Sequence, residues 1–141
     1  MNKHVIFTGG PRTGKTRALD EIASSYGDQV DIVRVDGNPR HTSPAFIESL
    51  AKPVSPDRRT FVFIDDVRSD DARQLEAVKT LFATAEDRVT VYASAESWPG
   101  DFGCVDRVKL NPDGTVAATL IAVNEAANLT IRHYRRPPIA A

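Results

Sequence analysis

Short apolar runs alternate along this chain with segments whose apolar residues recur every three to four positions. His4, Val5, Ile6, Phe7 and Thr8 read as a short buried strand that runs into Gly9 and Gly10. From Thr16 onward, Ala18, Leu19, Ile22, Ala23 and Tyr26 follow a helical period, and Gly27 predicts its stop. Residues 30–35 predict a second strand, closed by turn chemistry at Asp36, Gly37, Asn38 and Pro39. Ser43 and Pro44 fit an N-cap and a first helical position, with a short helix expected over 45–50. Pro53 and Pro56 keep the next stretch irregular.

The clearest strand is Phe61, Val62, Phe63 and Ile64, apolar on both faces as a strand inside a parallel sheet must be. Ser69 is the expected cap of the following helix, with Asp70 and Asp71 in its first turn, where the helix dipole favours acids. Ala72, Leu75, Val78, Leu81, Phe82 and Ala85 then form one stripe, and residues 89–93 predict another strand. Strands alternating with helices predict an α/β domain with a doubly wound, mostly parallel sheet. The last third differs. Residues 105–110, the turn Asn111, Pro112, Asp113 and Gly114, and residues 115–123 predict a C-terminal β-hairpin, and 129–134 one more strand. The expected organisation is one domain over 1–141, with a core to about residue 110 and the hairpin and a basic tail over about 105–141.

Composition narrows the function classes. At 141 residues, 41% of them hydrophobic, the chain is long enough for one well-buried core. Charge nearly cancels, 18 Lys and Arg against 19 Asp and Glu, so coating of nucleic acid by bulk charge is not expected. The single cysteine, Cys104, excludes an internal disulfide and a cysteine-cluster zinc site, and is expected to pack. The opening apolar run is too short for a secretory signal, and the longest apolar stretch, 116–123, is too short to span a membrane. A cytoplasmic protein with no membrane contact is expected.

One motif carries chemistry. Gly9, Gly10, Pro11, Arg12, Thr13, Gly14, Lys15 and Thr16 match G-x-x-x-x-G-K-[ST] in full, after a predicted strand and at the start of a predicted helix. Glycines let the backbone wrap an anion closely, and the helix start adds the positive end of its dipole, with the Arg17 peptide in its first turn. In this arrangement Lys15 reaches the β- and γ-phosphates and the Thr16 hydroxyl binds Mg²⁺. The strand Phe61 to Ile64 ends in Asp65 and Asp66, 50 residues after Lys15. Asp65 is placed to hold Mg²⁺ through water, and Asp66 to orient or deprotonate an attacking water. A nucleoside triphosphate with Mg²⁺ is the expected ligand.

On these residues the chain resembles the AAA-type ATPases and their relatives, the P-loop NTPases with an additional strand. Their loop reads G-P-P-G-T-G-K-T where this one reads G-G-P-R-T-G-K-T, and their magnesium strand ends in Asp-Glu where this one ends in Asp65 and Asp66. The likeness covers roughly residues 4 to 95. It implies a parallel sheet with an extra strand, residues 89–93, between the loop strand and the Asp65 strand, and it makes Ser94 a γ-phosphate sensor. It also implies an arginine finger offered to a neighbouring subunit, for which Arg107, just before the late strand, is the candidate, and with it a homo-oligomer. Arg12 stands where the family has glycine. Asp66 is one methylene shorter than the family's glutamate, so Glu96 is the alternative residue for activating water. The helical lid is replaced by the Asn111–Gly114 hairpin, so a minimal ATPase core is expected.

Other readings compete. The Asn-Lys-x-Asp motif by which Ras-like GTPases read guanine is missing, since Asn2 and Lys3 are followed by His4 and Val5. A small-molecule kinase of the nucleoside or nucleotide type is the runner-up, with Arg34, Arg40, Arg58 and Arg59 as a clamp for a phosphorylated acceptor. A nucleotide switch that barely hydrolyses is a third reading, favoured by Asp66. The tail residues Arg132, His133, Tyr134, Arg135 and Arg136 are candidates for gripping nucleic acid. His4 and His41 lack partners at metal-ligand spacing. Trp98, Pro99 and Gly100 fit either a loop over the nucleotide or a cover for the sheet edge.

Overall fold

The computed structural model describes residues 4–10, 14–26, 28 and 30–98, together with the backbone of 105–109. Five strands and three helices alternate through them: β1 (His4–Thr8), α1 (Lys15–Ser25), β2 (Asp31–Asp36), α2 (Pro44–Ser49), β3 (Thr60–Val67), α3 (Ala72–Thr84), β4 (Val89–Ala95) and β5 (Val105–Lys109). The strands form one sheet in the order β2-β3-β4-β1-β5, and every neighbouring pair runs parallel. The strand over 89–95 thus lies between β1 and β3.

Successive strand residues face opposite sides of the sheet, and both sides are covered. Val5, Phe7, Phe61, Phe63 and Tyr92 pack with Ala18, Leu19 and Ile22 of α1. Ile6, Val62, Ile64, Val91 and Ala93 pack with Ile47 of α2 and with Ala77, Val78, Leu81 and Phe82 of α3. This is why β1, β4 and the first five residues of β3 are buried throughout, whereas the edge strand β2 alternates between partly buried and exposed positions over its first four residues. Each buried Val, Leu, Ile or Phe among them contributes about 1.5–3 kcal/mol through burial. Trp98 belongs to the α3 side, 6% exposed and edge-on to Phe82 with ring centroids 5.6 Å apart. It is a core residue rather than a loop over a ligand.

The helix starts follow local chemistry. Ser43 caps α2 by accepting the Phe46 N–H at 3.2 Å, with Pro44 in the first turn. The expected cap of α3 is corrected: Asp71, not Ser69, is the N-cap, accepting the Gln74 N–H at 2.9 Å. Arg68 pairs with Asp70 at 3.1 Å, and the Asp71 N–H bonds the Arg68 carbonyl, so 68–70 close into a turn one step before the helix. That leaves the Ser69 hydroxyl to meet the Ser97 hydroxyl at 3.2 Å. The first arm of the expected hairpin is β5, which pairs parallel with β1. Its turn, its second arm, the strand at 129–134 and the basic tail lie outside the described residues.

His4 is 1% exposed. Its ring lies 5.5 Å from that of Phe82, and its Nδ1 accepts the Val91 N–H at 3.0 Å. A fixed acceptor of this kind requires the neutral imidazole, and the residue serves the packing of β1 on α3.

Candidate functional site: the carboxyl ends of β1, β3 and β4

In a parallel sheet, ligand sites form where strands end and helices begin. β1 ends at Thr8 and α1 begins at Lys15 after Gly14, whose φ of 88° is left-handed backbone that a side chain would strain. Among the described residues no side chain caps α1. Its first helical bond runs from the Ala18 N–H to the Gly14 carbonyl at 2.8 Å, so the N–H groups of Lys15, Thr16 and Arg17 precede the helical ladder. The Arg17 side chain turns along the helix to Glu21 at 3.5 Å, leaving its peptide as its contribution to the turn. The Lys15 ammonium donates to the carbonyls of Gly9 and Gly10, both at 2.7 Å, which holds it over the strand end. Pro11, Arg12 and Thr13 lie outside the described residues.

Forty-nine residues along the chain, Asp65 meets this turn. The Thr16 hydroxyl donates to the Asp65 carboxylate, 3.0 Å from Oδ2 and 3.2 Å from Oδ1. The same carboxylate accepts the Ser94 hydroxyl at 2.7 Å. Ser94 is fully buried and also accepts the Asp66 N–H at 2.8 Å.

A β-bulge accounts for this geometry. Ile64 pairs with Ala93 and Val67 with Ala95, so Asp65 and Asp66 together oppose the single residue Ser94. The extra residue is accommodated at Asp66, whose φ of 59° makes it the one left-handed non-glycine residue among those described. Aspartate adopts this conformation more readily than most residues. Ser94, at the centre of the bulge, uses its hydroxyl once as donor and once as acceptor. It thereby orients one acid and holds the backbone of the next.

Beyond the bulge lies a cavity of about 500 Å³, lined by Asp66, Val67, Arg68, Ser69, Asp70, Glu96 and Ser97. Hydrogen bonding and charge from Arg68 hold the Asp70 carboxyl below its ordinary range, and the same pairing with Asp70 raises the Arg68 guanidinium. Glu96 stands with Asp66 on this wall, so both residues considered for water activation face one space.

The donor set suits a small, hard cation. A hydroxyl and a carboxylate 3.0 Å apart are oxygen ligands of the kind Mg²⁺ takes in ones and twos, with phosphates and waters completing its shell. Among the described residues no group of three or more His, Cys, Asp or Glu side chains is arranged to hold a metal without such help.

The structure thus brings Lys15, Thr16, Asp65, Asp66 and Ser94 together. It does not gather Arg34, Arg40, Arg58 and Arg59 into a clamp. Arg34 pairs with Asp20 at 2.7 Å and lies over the Phe63 ring. Arg58 and Arg59 precede β3, at the opposite end of the sheet from Asp65. There Arg58 bonds the carbonyls of Asp28 and Val30, and Arg59 bonds that of Asp87 and the Thr90 hydroxyl. Only Arg40, in the turn after β2, is on the Asp65 side. Arg107, expected just before a late strand, instead sits within β5, at the register position opposite Ile6.

Sequence reasoning missed two residues here. Gln74, fully buried on α3, donates to the carbonyls of Gly37 and Thr42 at 3.0 and 3.2 Å. Gly37 donates its N–H to the Asp65 carbonyl at 2.6 Å. The available signal was a polar residue on the stripe that continues through Ala77, Val78 and Leu81. No protein-family model and no curated protein sequence matches this chain. No described helix is long and apolar enough to cross a membrane.

Proposed function

We propose that the protein is a Mg²⁺-dependent ATP-binding and ATP-hydrolysing enzyme of the P-loop class, built as a minimal core similar to the AAA-type ATPases. The observation that carries this reading is the contact of Thr16 with Asp65 at 3.0 Å, directly beside a lysine held over a glycine turn. A glycine-rich turn has no reason of its own to seat its threonine on a distant strand-end acid. A metal–phosphate site does.

In this reading the glycine turn and the N–H groups of Lys15, Thr16 and Arg17, which precede the helical ladder, bind phosphate oxygens. Lys15 directs two of its three protons to its own loop and has a third for the β- and γ-phosphates. Thr16, and Asp65 through water, would hold Mg²⁺, which would neutralise charge on the phosphates. Asp66 orients the attacking water and accepts its proton, its backbone held by Ser94. Ser94 acts by fixing both acids, and it reports on the γ-phosphate through them. ATP rather than GTP, a homo-oligomer completed by Arg107, and a nucleic-acid partner follow from the resemblance and belong to the same proposal.

The cavity beside Asp66 favours one second reading, phosphoryl transfer to a hydroxyl-bearing acceptor instead of water. A phosphate-release assay separates the two. Steady release of inorganic phosphate from ATP and Mg²⁺ alone, abolished by EDTA, is expected for the ATPase. ATP binding without release, with turnover only on adding an alcohol acceptor, would indicate the kinase. Absence of ATP binding would overturn both.

A further inference from the structure

We infer that Gln74 is a positioning residue for Asp65, acting through the Gly37 peptide. The turn after β2 and the metal-side acid then shift as one unit. The meaning of this link for metal binding rests on the reading of Asp65 above; the link itself rests on geometry.

Gln74 lies fully buried on the α3 face that packs against β3 and β4. Its Nε2 faces two carbonyls, those of Gly37 and Thr42, which only the nitrogen end of the amide can satisfy. Its Oε1 is buried with no hydrogen-bond partner among the described residues. An unpaired buried acceptor is a cost that an apolar residue of the same length would avoid. What the glutamine secures in exchange is the turn over residues 37–42, fixed at both ends by one side chain.

Gly37 transmits this to Asp65. Its N–H donates to the Asp65 carbonyl at 2.6 Å. A Cβ at Gly37 would stand 2.8 Å from the Asp65 carbonyl oxygen and from the Val67 N and Cα, so the peptide lies directly against the bulge. The regular pairing of β3 with β4 is interrupted between Ile64 and Val67. Asp65 is therefore held from two sides by unlike means: Ser94 grips its carboxylate from β4, and Gly37 grips its carbonyl from the turn after β2. Gln74 is the anchor of the second grip.

The test combines amide hydrogen exchange of the free protein with Mn²⁺ titration in the presence of ATP. In Gln74→Met, which keeps the length and removes the amide, exchange at Gly37 and Asp66 is expected to accelerate about tenfold or more relative to Val62 in the middle of β3. Mn²⁺ binding to the ATP-loaded variant, read by electron paramagnetic resonance, is expected to weaken about tenfold. ATP binding in EDTA should be unchanged. Gly37→Ala, which leaves Gln74 in place and pushes on the Asp65 carbonyl, should give the same metal defect and serves if Gln74→Met does not fold. Unchanged exchange at Gly37 and Asp66, or an equal rise at Val62, would overturn the positioning role. A wild-type chain that binds no ATP would overturn the nucleotide reading, and the exchange data would still decide the link.

Discussion

At the scale of single residues, the site depends on two side chains that sit in unusual places for their type. Asp66 holds a left-handed backbone conformation, so substitutions there report on chemistry only if the backbone is spared. Asparagine tolerates that conformation. Asp66→Asn is therefore expected to keep ATP affinity within about twofold while lowering turnover about a hundredfold or more, on the scale of general-base loss. Parallel binding and phosphate-release assays check this, and equal loss of both would make Asp66 structural. Ser94 is fully buried and bonded to both acids. Ser94→Ala removes the oriented donor from Asp65 and leaves the Asp66 N–H unpaired. A loss of about 10- to 100-fold in Mg²⁺ affinity or turnover is expected, as for other groups that orient metal ligands. A wild-type Mg²⁺ dependence in Ser94→Ala would show that the bulge holds Asp65 unaided.

At the scale of elements, helix α1 is stapled to the sheet at its far end by aromatic residues. Tyr26 stacks on Phe61 with centroids 4.0 Å apart, and its hydroxyl meets that of Tyr92 at 2.8 Å. Burial pushes the Tyr26 phenol above its ordinary value of 10.0, against smaller opposing effects of the Tyr92 hydrogen bond and the Arg59 charge. A raised pKa in the folded state means that the folded chain holds this proton more tightly than the unfolded one. The stability it contributes is complete below pH 10 and is lost as pH rises through the folded-state value. Tyr26→Phe should cost about 1 kcal/mol at pH 8 and blunt the loss of stability between pH 9 and 11, measured by urea unfolding. A variant with the same alkaline slope as wild type would assign that slope elsewhere.

The same scale shows what the chain makes legible. Phe61 to Ile64 announces a central strand because a strand covered on both faces has no polar positions to break its run. Ser43 with Pro44 announces a helix start because cap chemistry is local. The β-bulge is silent, because Asp65 and Asp66 look like any strand-end acids until Ser94, 28 residues beyond Asp66, is seen opposite both. The loop and its two acids can therefore be read from sequence, but the element that aligns them cannot. Gln74 is silent for the matching reason: its partners are carbonyls of Gly37 and Thr42, more than 30 residues away. The displaced cap at Asp71 is a choice among the neighbouring cap-capable residues Ser69, Asp70 and Asp71, which helical periodicity does not resolve.

At the scale of the whole molecule, one parallel sheet with helices on both faces delivers Thr16, Asp65 and Ser94 to one end from one helix and two strands far apart in sequence. The basic groups considered for an acceptor clamp are instead divided between the two ends, where Arg58 and Arg59 tie strand starts together. If subunits complete one another's sites through Arg107, turnover per subunit should climb with protein concentration and fall at least tenfold in Arg107→Ala at high concentration. Turnover that is flat with concentration would make each chain an independent enzyme.

The most direct test of the central claim is calorimetric titration of ATP with Mg²⁺ into the wild-type chain and into Lys15→Ala. Saturable one-to-one binding to wild type, dependent on Mg²⁺ and lost or weakened at least a hundredfold in a variant whose circular dichroism is unchanged, is the expected result. Equal affinity in the two proteins, or no binding to either, would contradict the assignment of this loop as a nucleotide site.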